Sequence, residues 1–117
     1  MLDPCQGCLD YLYSRLDYER VGMPRSPADL SLGRMRRLLA RLGDPHRGLR
    51  IVHVAGTKGK GSTAAMIAAG LAAAGARTGL YTSPHLERLE ERYLIDGRPI
   101  DPEELNGLVE DVRDSVE

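Results

Sequence analysis

Aromatic residues and long apolar runs are scarce in this chain of 117 residues, which has five Tyr, no Trp and no Phe. The longest apolar run, around residues 64–74, is alanine-rich and far shorter than the roughly 20 residues that a membrane-spanning helix needs. The first residues have neither a basic start nor an apolar run, so we expect no signal peptide. We therefore expect a cytoplasmic protein that binds no membrane.

An excess of positive charge is also missing, because 16 Lys and Arg stand against 17 Asp and Glu for a net charge of −1. The arginines are scattered along the chain, whereas a nucleic-acid-binding protein usually concentrates basic groups on one face. We therefore expect no nucleic-acid partner. At 42% hydrophobic and 28% charged residues, the composition is neither disordered nor fibrous, and the length fits one small domain.

Cysteine is limited to Cys5 and Cys8, which form one C-x-x-C pair. Such a pair can be half of a zinc site or a redox pair. No second pair exists, and this one precedes a predicted helix outside any thioredoxin-like strand–helix–strand unit. We therefore expect two reduced thiols near solvent.

Lysine is the scarcest basic residue, since 14 of the 16 basic side chains are Arg and the only lysines are Lys58 and Lys60. Both lie in a glycine-rich stretch, and residues 51–86 contain no Asp or Glu. Because both lysines occur in this one stretch, they suggest a local need for a compact ammonium group. A stretch without carboxylates would not repel a triphosphate.

The first half of the chain predicts two helices. Leucines at helical spacing indicate an amphipathic helix over residues 9–20 and a second one over about 30–42. Gly43 and Pro45 then supply a stop signal for the second helix.

The middle of the chain predicts a strand–loop–helix–strand unit. Residues 51–55 are apolar and β-branched, which favours a buried strand, with His53 as a structural residue. Small residues from Lys60 to Ala74 favour a helix that ends at Gly75. A second strand is predicted over 77–82. Units of this kind cross over right-handed and pair their strands in parallel.

The remaining residues predict a hairpin and a final helix. Residues 93–100 suit a hairpin with a type I′ turn at Asp96–Gly97, and Asp101 and Pro102 suit a helix start. The predicted fold class is therefore α/β: a phosphate-loop βαβ unit of a parallel sheet, preceded by two helices and followed by a hairpin and a helix.

A phosphate-binding loop is predicted between the first strand and the third helix. Glycines let successive backbone N–H groups turn inward, a lysine reaches the outer phosphates, and the helix N-terminus adds its dipole. The match to G-x-x-x-x-G-K-[ST] is imperfect, because Gly61 separates Lys60 from Ser62. A glycine-rich turn without a ligand is the alternative. The predicted ATP-binding residues are Gly56, Thr57, Lys58, Gly59, Lys60, Gly61, Ser62 and Thr63.

Four segments of the chain together resemble one protein family. The segments YLYSRLDYERVGM, ADLSLGRMRRLLARLGDP, IVHVAGTKGKGSTAAMIAAGLAAAG and TGLYTSPHLERLEERYLIDGRPI, in this order, resemble the N-terminal third of the folylpolyglutamate synthase and dihydrofolate synthase family of the Mur ligase superfamily. The motifs HVAGTKGKGS and YTSPHL together are specific to this family. Other Mur ligases share the first motif but place a separate nucleotide-sugar domain before it. The resemblance implies that residues 1–117 are the N-terminal part of an ATP-binding domain, incomplete and without the C-terminal glutamate-binding domain.

The activity implied by the resemblance is ATP-dependent amide formation. A folate or dihydropteroate carboxylate takes the γ-phosphoryl group of ATP, and the amine of L-glutamate displaces phosphate from the acyl phosphate. By the same resemblance, the catalytic Lys60 neutralises the β- and γ-phosphates and Ser83 is a Mg²⁺ ligand, a hydroxyl being suited to this hard cation. The implied substrate-binding residues are Asp29, Leu30, Ser31 and Leu32 at the pterin site, and His85 in a loop over the substrate.

The chain also departs from the family pattern. Lys58 stands where Asn is usual and Gly33 where Glu is usual, and the other Mg²⁺ ligands of the family lie beyond residue 117. We therefore predict that the isolated chain is marginally stable and inactive. A non-catalytic nucleotide-binding module that needs a partner chain is the second hypothesis. A small P-loop kinase is the third, and it is disfavoured because Gly61, not Ser or Thr, follows the lysine.

Overall fold

The computed structural model describes residues 4–15, 31–85 and 87–116. The chain divides into two compact units: a helical unit, Met1–Leu49 with Asn106–Glu117, and a loop unit, Arg50–Leu105. None of the helices in the described ranges is long and apolar enough to cross a membrane.

The helical unit contains helices α1, Pro4–Ser14, and α2, Leu32–Arg41, together with the later turns of helix α4, Pro102–Val116. Helix α1 begins five residues earlier than the sequence predicted, and the predicted end at residue 20 lies outside the described residues. The Arg41 side chain donates through Nη1 to the Ser115 backbone oxygen over 2.8 Å. This bond places a cation at the C-terminal end of α4, where the helix dipole favours positive charge.

Helix α2 ends as the sequence predicted. The Gly43 N–H donates to the Ala40 carbonyl over 3.1 Å, and the Asp44 N–H donates to the Leu39 carbonyl over 2.7 Å. Gly43 has a φ of 78°, a left-handed conformation that costs glycine little. This bonding pattern is a Schellman motif, which satisfies carbonyls that the helix end leaves without partners.

In α1, the Tyr11 ring contacts guanidinium groups, whereas the Cys8 thiol is buried. Guanidinium groups lie over the Tyr11 ring from two residues, Arg15 at 4.5 Å and Arg113 at 5.0 Å from the ring centroid, which are cation–π distances. Cys8 is only 7% exposed, so the expectation of a thiol near solvent is wrong for this residue. Cys8 lies on the helix face that packs inward, where a thiol behaves as a small apolar group.

The loop unit contains helix α3, Lys60–Ala73, strand β1, Gly79–Tyr81, a short 3₁₀ helix, Leu89–Arg92, and strands β2, Tyr93–Ile95, and β3, Arg98–Pro99. Helix α3 also ends in a Schellman motif, because the N–H groups of Gly75 and Ala76 donate to the carbonyls of Ala72 and Leu71. The predicted stop at Gly75, with a φ of 88°, is confirmed.

The predicted parallel pairing is not found among the described residues. Residues 51–56 form no strand, and Ile51 and Val52 are 69% and 63% exposed. The only described sheet has the order β1-β2-β3, with both pairs antiparallel. Strand β1 joins β2 through a loop without a long crossover helix, and such a connection suits antiparallel strands. Strand β1 is therefore an edge strand in the described sheet.

The predicted hairpin is confirmed. Asp96 and Gly97 have φ values of 49° and 82°, and two positive φ values in succession are what a type I′ turn requires. The turn is tied to the residue before β1, because the Thr78 N–H donates to Asp96 Oδ1 over 2.8 Å and the Asp96 N–H donates to the Thr78 carbonyl over 2.8 Å.

Helix α4 begins where the sequence predicted. Asp101 Oδ1 accepts from the Glu103 N–H over 3.2 Å, which is a cap of the first turn. Leu105 is 6% exposed, whereas Leu108, one turn further on, is 51% exposed. Among the described residues the buried apolar side chains are Cys8, Leu89 and Leu105, so the structure has little core.

Candidate phosphate-binding loop and substrate loop

The glycine-rich loop turns into α3 through a left-handed residue. Gly59 has φ 73° and ψ 5° and occupies the N-cap position of the helix. Its carbonyl accepts the first bond of the helix, from the Thr63 N–H over 2.9 Å. A left-handed conformation costs a residue with a Cβ roughly 1–2 kcal/mol, so glycine is needed here.

The start of α3 presents unsatisfied donors. The N–H groups of Lys60, Gly61 and Ser62 come before that of Thr63, the first to donate within the helix, so they have no acceptor in the helix. Gly59 has no side chain that could cap them. Lys58 and Lys60 are both exposed beside these donors. Helix dipole, backbone donors and ammonium groups thus favour an anion at this place.

Gly61, unlike Gly59, has a backbone conformation that residues with a Cβ adopt without strain. A Cβ added at Gly61 would meet nothing within 4 Å, and its φ is not left-handed. The folded chain therefore has no steric need for glycine at this position. A ligand that approaches the backbone closely would supply such a need.

Ser83, the predicted Mg²⁺ ligand, lies exposed in the loop after β1, and its peptide bond to Pro84 is cis. A Mg²⁺ site in a phosphoryl-transfer enzyme combines carboxylates with phosphate oxygens and water. Within the described ranges, no group of three or more His, Cys, Asp or Glu side chains is placed to hold a metal ion. One hydroxyl does not make this site, so the described residues do not fit Mg²⁺ by themselves.

His85, the predicted substrate-binding residue, is half-buried in the same loop. Its Nδ1 lies 2.8 Å from Nε of Arg92 and accepts a hydrogen bond from that atom. Arg92 was not predicted from the sequence as a site residue. The two residues do not belong to one helix or strand, so the periodicity of a regular element could not connect them.

The loop between β1 and β2, residues 82–92, is held together by bonds of its own. The Thr82 N–H donates to the Arg92 carbonyl over 3.1 Å and closes the base of the loop. Glu91 Oε1 accepts from the backbone N–H groups of Glu87 and Arg88, over 3.1 and 2.9 Å. The rings of Tyr81 and Tyr93, next to the base, have their centroids 5.4 Å apart.

The other predicted site residues lie in the helical unit, in the loop unit or outside the described residues. In the helical unit, Ser31 caps α2 by accepting from the Gly33 N–H over 3.2 Å, and Leu32 is exposed in its first turn. Asp29 and Leu30 lie outside the described residues. His53 is exposed in the loop unit. The predicted phosphate loop, Ser83 and His85 all belong to the loop unit. In this unit α3 contacts β1, and Ser83 lies two residues after the end of β1.

Comparison with known proteins gives consistent matches. The chain is 51% identical over 79 residues to a probable bifunctional folylpolyglutamate synthase/dihydropteroate synthase of Haloferax volcanii, covering 68% of this chain and 9% of the relative. It is 48% identical over 86 residues to a dihydrofolate synthase/folylpolyglutamate synthase of Bacillus subtilis, covering 74% of this chain and 20% of the relative. No family model matches the chain.

Solved structures show the same relationship. Folylpolyglutamate synthetase (FPGS) from Lactobacillus casei superposes with a TM-score of 0.80 at 38% identity, covering 96% of this chain and 26% of the other. A complex of FPGS with AMPPCP and folate superposes with a TM-score of 0.81 at 38% identity, covering 96% and 25%.

The fold of the chain is thus that of one part of a Mur-type ligase. More specifically, the chain belongs to the folylpolyglutamate synthase and dihydrofolate synthase family. It spans about a fifth or less of the curated relatives above and about a quarter of the solved structures.

Proposed function

We propose that this chain is the ATP-phosphate-binding part of a ligase that joins L-glutamate to a folate or dihydropteroate carboxylate through an acyl phosphate. The observation that carries the proposal is the left-handed Gly59, which opens α3 beside two exposed lysines. The matching FPGS structure in complex with AMPPCP and folate supports this proposal.

The proposed role of the loop is to hold phosphate. Backbone N–H groups at the start of α3 donate to phosphate oxygens, and the ammonium group of Lys60 neutralises charge on the β- and γ-phosphates. Residues 51–86 contain no Asp or Glu that would repel a triphosphate. The proposed remaining contacts are those of Gly56, Thr57, Lys58, Gly59, Gly61, Ser62 and Thr63 with ATP, and of Asp29, Leu30, Ser31, Leu32 and His85 with the pterin-bearing substrate.

Binding of AMPPCP tests the phosphate site. Isothermal titration calorimetry should give a measurable affinity for the 117-residue chain, and Lys60→Ala should weaken it about tenfold or more, because a charge-assisted contact to phosphate is lost. Arg98→Ala is the matched control, since it removes an exposed cation from β3, outside the loop. Equal affinity of the Lys60→Ala variant and the unchanged chain would contradict the proposal.

The isolated chain is proposed to be inactive, because the described residues lack a set of donors that fits the metal used in phosphoryl transfer. The chain is incubated with ATP, Mg²⁺, L-glutamate and either folate or dihydropteroate, and glutamylated product is sought by mass spectrometry. Product formation above that of the Lys60→Ala variant would refute the proposed inactivity.

A non-catalytic module that works beside a partner chain is the second candidate. The observation that favours it is the exposure of apolar residues throughout the loop unit, which a monomer in water would tend to cover. Purification of the tagged chain from its native cells should then bring down one stoichiometric polypeptide. A chain that remains a monomer without such a partner would argue against this candidate. The exposed apolar residues include Ile51, Val52, Met66, Ile67, Leu71 and Tyr81.

A further inference from the structure

We propose that three arginines of α2, Arg34, Arg37 and Arg41, bind the carboxylates of an oligo-γ-glutamate tail on the folate-type substrate. The inference rests on the proposed function and deepens it, because it names the substrate class: a folate that already carries several glutamates. Each L-glutamate that the proposed ligase adds uses one carboxylate and brings two, so the product gains one negative charge in every round. Carboxylates in series along a chain are complemented by cations in series.

The arginine stripe, as we call Arg34, Arg37 and Arg41, lies on one face of α2. Its members stand at positions i, i+3 and i+7 of this helix, and residues at these spacings are neighbours on a helix surface. Consecutive members are about 4.5 and 6 Å apart along the helix axis. All three side chains are exposed, whereas Leu39, on the opposite side of the helix, is half-buried.

The segment around the stripe carries no negative charge. Residues 30–43 contain four Arg and no Asp or Glu. The carboxylate of Asp44, directly after this segment, lies 3.2 Å from the Arg47 guanidinium, and Asp29, before it, lies outside the described residues. Arg41 uses one of its five guanidinium donors for the Ser115 carbonyl, which holds the side chain in place without cancelling its charge. The stripe therefore attracts a polyanion.

The guanidinium of Arg37 lies beside a residue that the proposed function assigns to the substrate. Its Nη1 is 3.6 Å from the position that a Cβ at Gly33 would occupy, and Ser31 Oγ is 3.3 Å from the same position. Arg37 thus reaches back over the first turn of α2, as long side chains in helices do. Gly33 puts no side chain between the two polar groups. The start of the stripe therefore adjoins Ser31, a proposed substrate contact.

The exposure of the stripe determines how it binds. A guanidinium pairs with a carboxylate through two parallel hydrogen bonds, but an exposed pair is screened by water and salt and contributes little alone. Several pairs on one chain add up, because the first contact raises the effective concentration of the next carboxylate. The affinity should therefore rise with the number of glutamates in the tail and fall as salt is added.

Fluorescence anisotropy of fluorescein-labelled penta-γ-L-glutamate measures binding to the 117-residue chain. Labelled di-γ-L-glutamate should bind more weakly than the pentamer. Arg37→Gln should weaken pentamer binding about threefold to fivefold, which is the upper range for an exposed ion pair. Arg36→Gln is the matched control and should leave binding unchanged, because Arg36 is equally exposed on the same helix but lies outside the stripe. Equal losses for the two variants would overturn the inference.

The stripe can also be neutralised without removing an arginine. Gly33→Glu places a carboxylate four residues before Arg37, the favourable order for an ion pair within a helix, and should weaken pentamer binding about threefold to fivefold. Gly33→Gln adds a side chain of the same size without charge and should lose less. The added Cβ meets Ser31 Oγ at 3.3 Å in both variants, so any effect on the helix cap is shared. Equal affinities of the two variants would contradict the role of charge.

A nucleic acid is the other polyanion that an arginine stripe could bind. A single-stranded oligonucleotide of equal charge should displace the labelled pentamer less well than unlabelled penta-γ-L-glutamate does, and equal displacement would overturn the assignment to a polycarboxylate. Titration of the same sample with AMPPCP separates the inference from the proposed function. Binding of AMPPCP without binding of the pentamer overturns the inference alone. Binding of the pentamer without AMPPCP supports the stripe and contradicts the proposed phosphate site.

Discussion

Replacing Gly59 with alanine is expected to destabilise the start of α3 without a steric clash. Gly59 has a φ of 73°, and a Cβ added there would meet nothing within 4 Å. The whole cost is therefore that of the left-handed backbone, roughly 1–2 kcal/mol for a residue with a Cβ. Gly59→Asn should cost less, because asparagine visits this conformation more readily.

Urea denaturation followed by far-ultraviolet circular dichroism measures these differences. Folded proteins are only marginally stable, and few apolar side chains are buried in the part of the chain that the structure describes. A loss of this size should therefore shift the urea midpoint clearly. Equal stability of Gly59→Ala and the unchanged chain would refute the left-handed geometry of the loop.

Gly61→Ala separates the needs of the fold from those of the ligand. Gly61 lies within α3, and an added Cβ has open space, so alanine should leave stability unchanged or raise it by up to about 1 kcal/mol. In the proposed phosphate site, the same methyl group would occupy the space into which a phosphate would approach the helix N-terminus. We therefore expect a stable chain with weakened AMPPCP binding. Unimpaired binding would place the phosphates away from this backbone.

Two further substitutions test the hairpin and the small core. Asp96→Ala should destabilise the chain by about 1–2 kcal/mol in urea denaturation. It removes the oxygen that accepts from the Thr78 N–H over 2.8 Å, and it puts alanine at a φ of 49°. Asp96→Asn keeps an amide oxygen as acceptor and should therefore lose less stability. Leu105→Ala should lower the free energy of unfolding by about 2–3 kcal/mol, because the Leu105 side chain is only 6% exposed. Leu108→Ala is the control and should lower it by less than about 0.5 kcal/mol, because Leu108 is 51% exposed. Equal effects would show that Leu105 is not a core residue.

Local signals in the sequence predicted the C-terminal ends of α2 and α3 and the hairpin turn well. Gly43 and Gly75 stop their helices because each adopts a positive φ and allows a Schellman motif. The Asp96–Gly97 pair likewise forms the predicted hairpin turn. Each of these features depends on a few adjacent residues, so a short stretch of sequence is sufficient to encode it.

The pairing of distant segments as strands of one sheet could not be predicted from such local signals. The apolar pattern of 51–55 indicates a buried strand, but a parallel strand is stable only when neighbouring strands and covering helices bury it. Among the described residues these neighbours are not present around 51–55. The link between Arg92 and His85 also escaped prediction, because the conformation of the loop, and not a periodic spacing, brings the two side chains together.

Two carboxylates after residue 86, those of Glu90 and Glu91, are already engaged by donors of their own loop. Glu90 is buried with its carboxylate 3.4 Å from the Arg88 guanidinium, and Glu91 accepts from two backbone N–H groups of its own loop. A carboxylate that already satisfies buried or backbone donors is a poor candidate for a metal ligand, since moving it would leave those donors unpaired. We therefore expect neither Glu90 nor Glu91 to serve as a metal ligand.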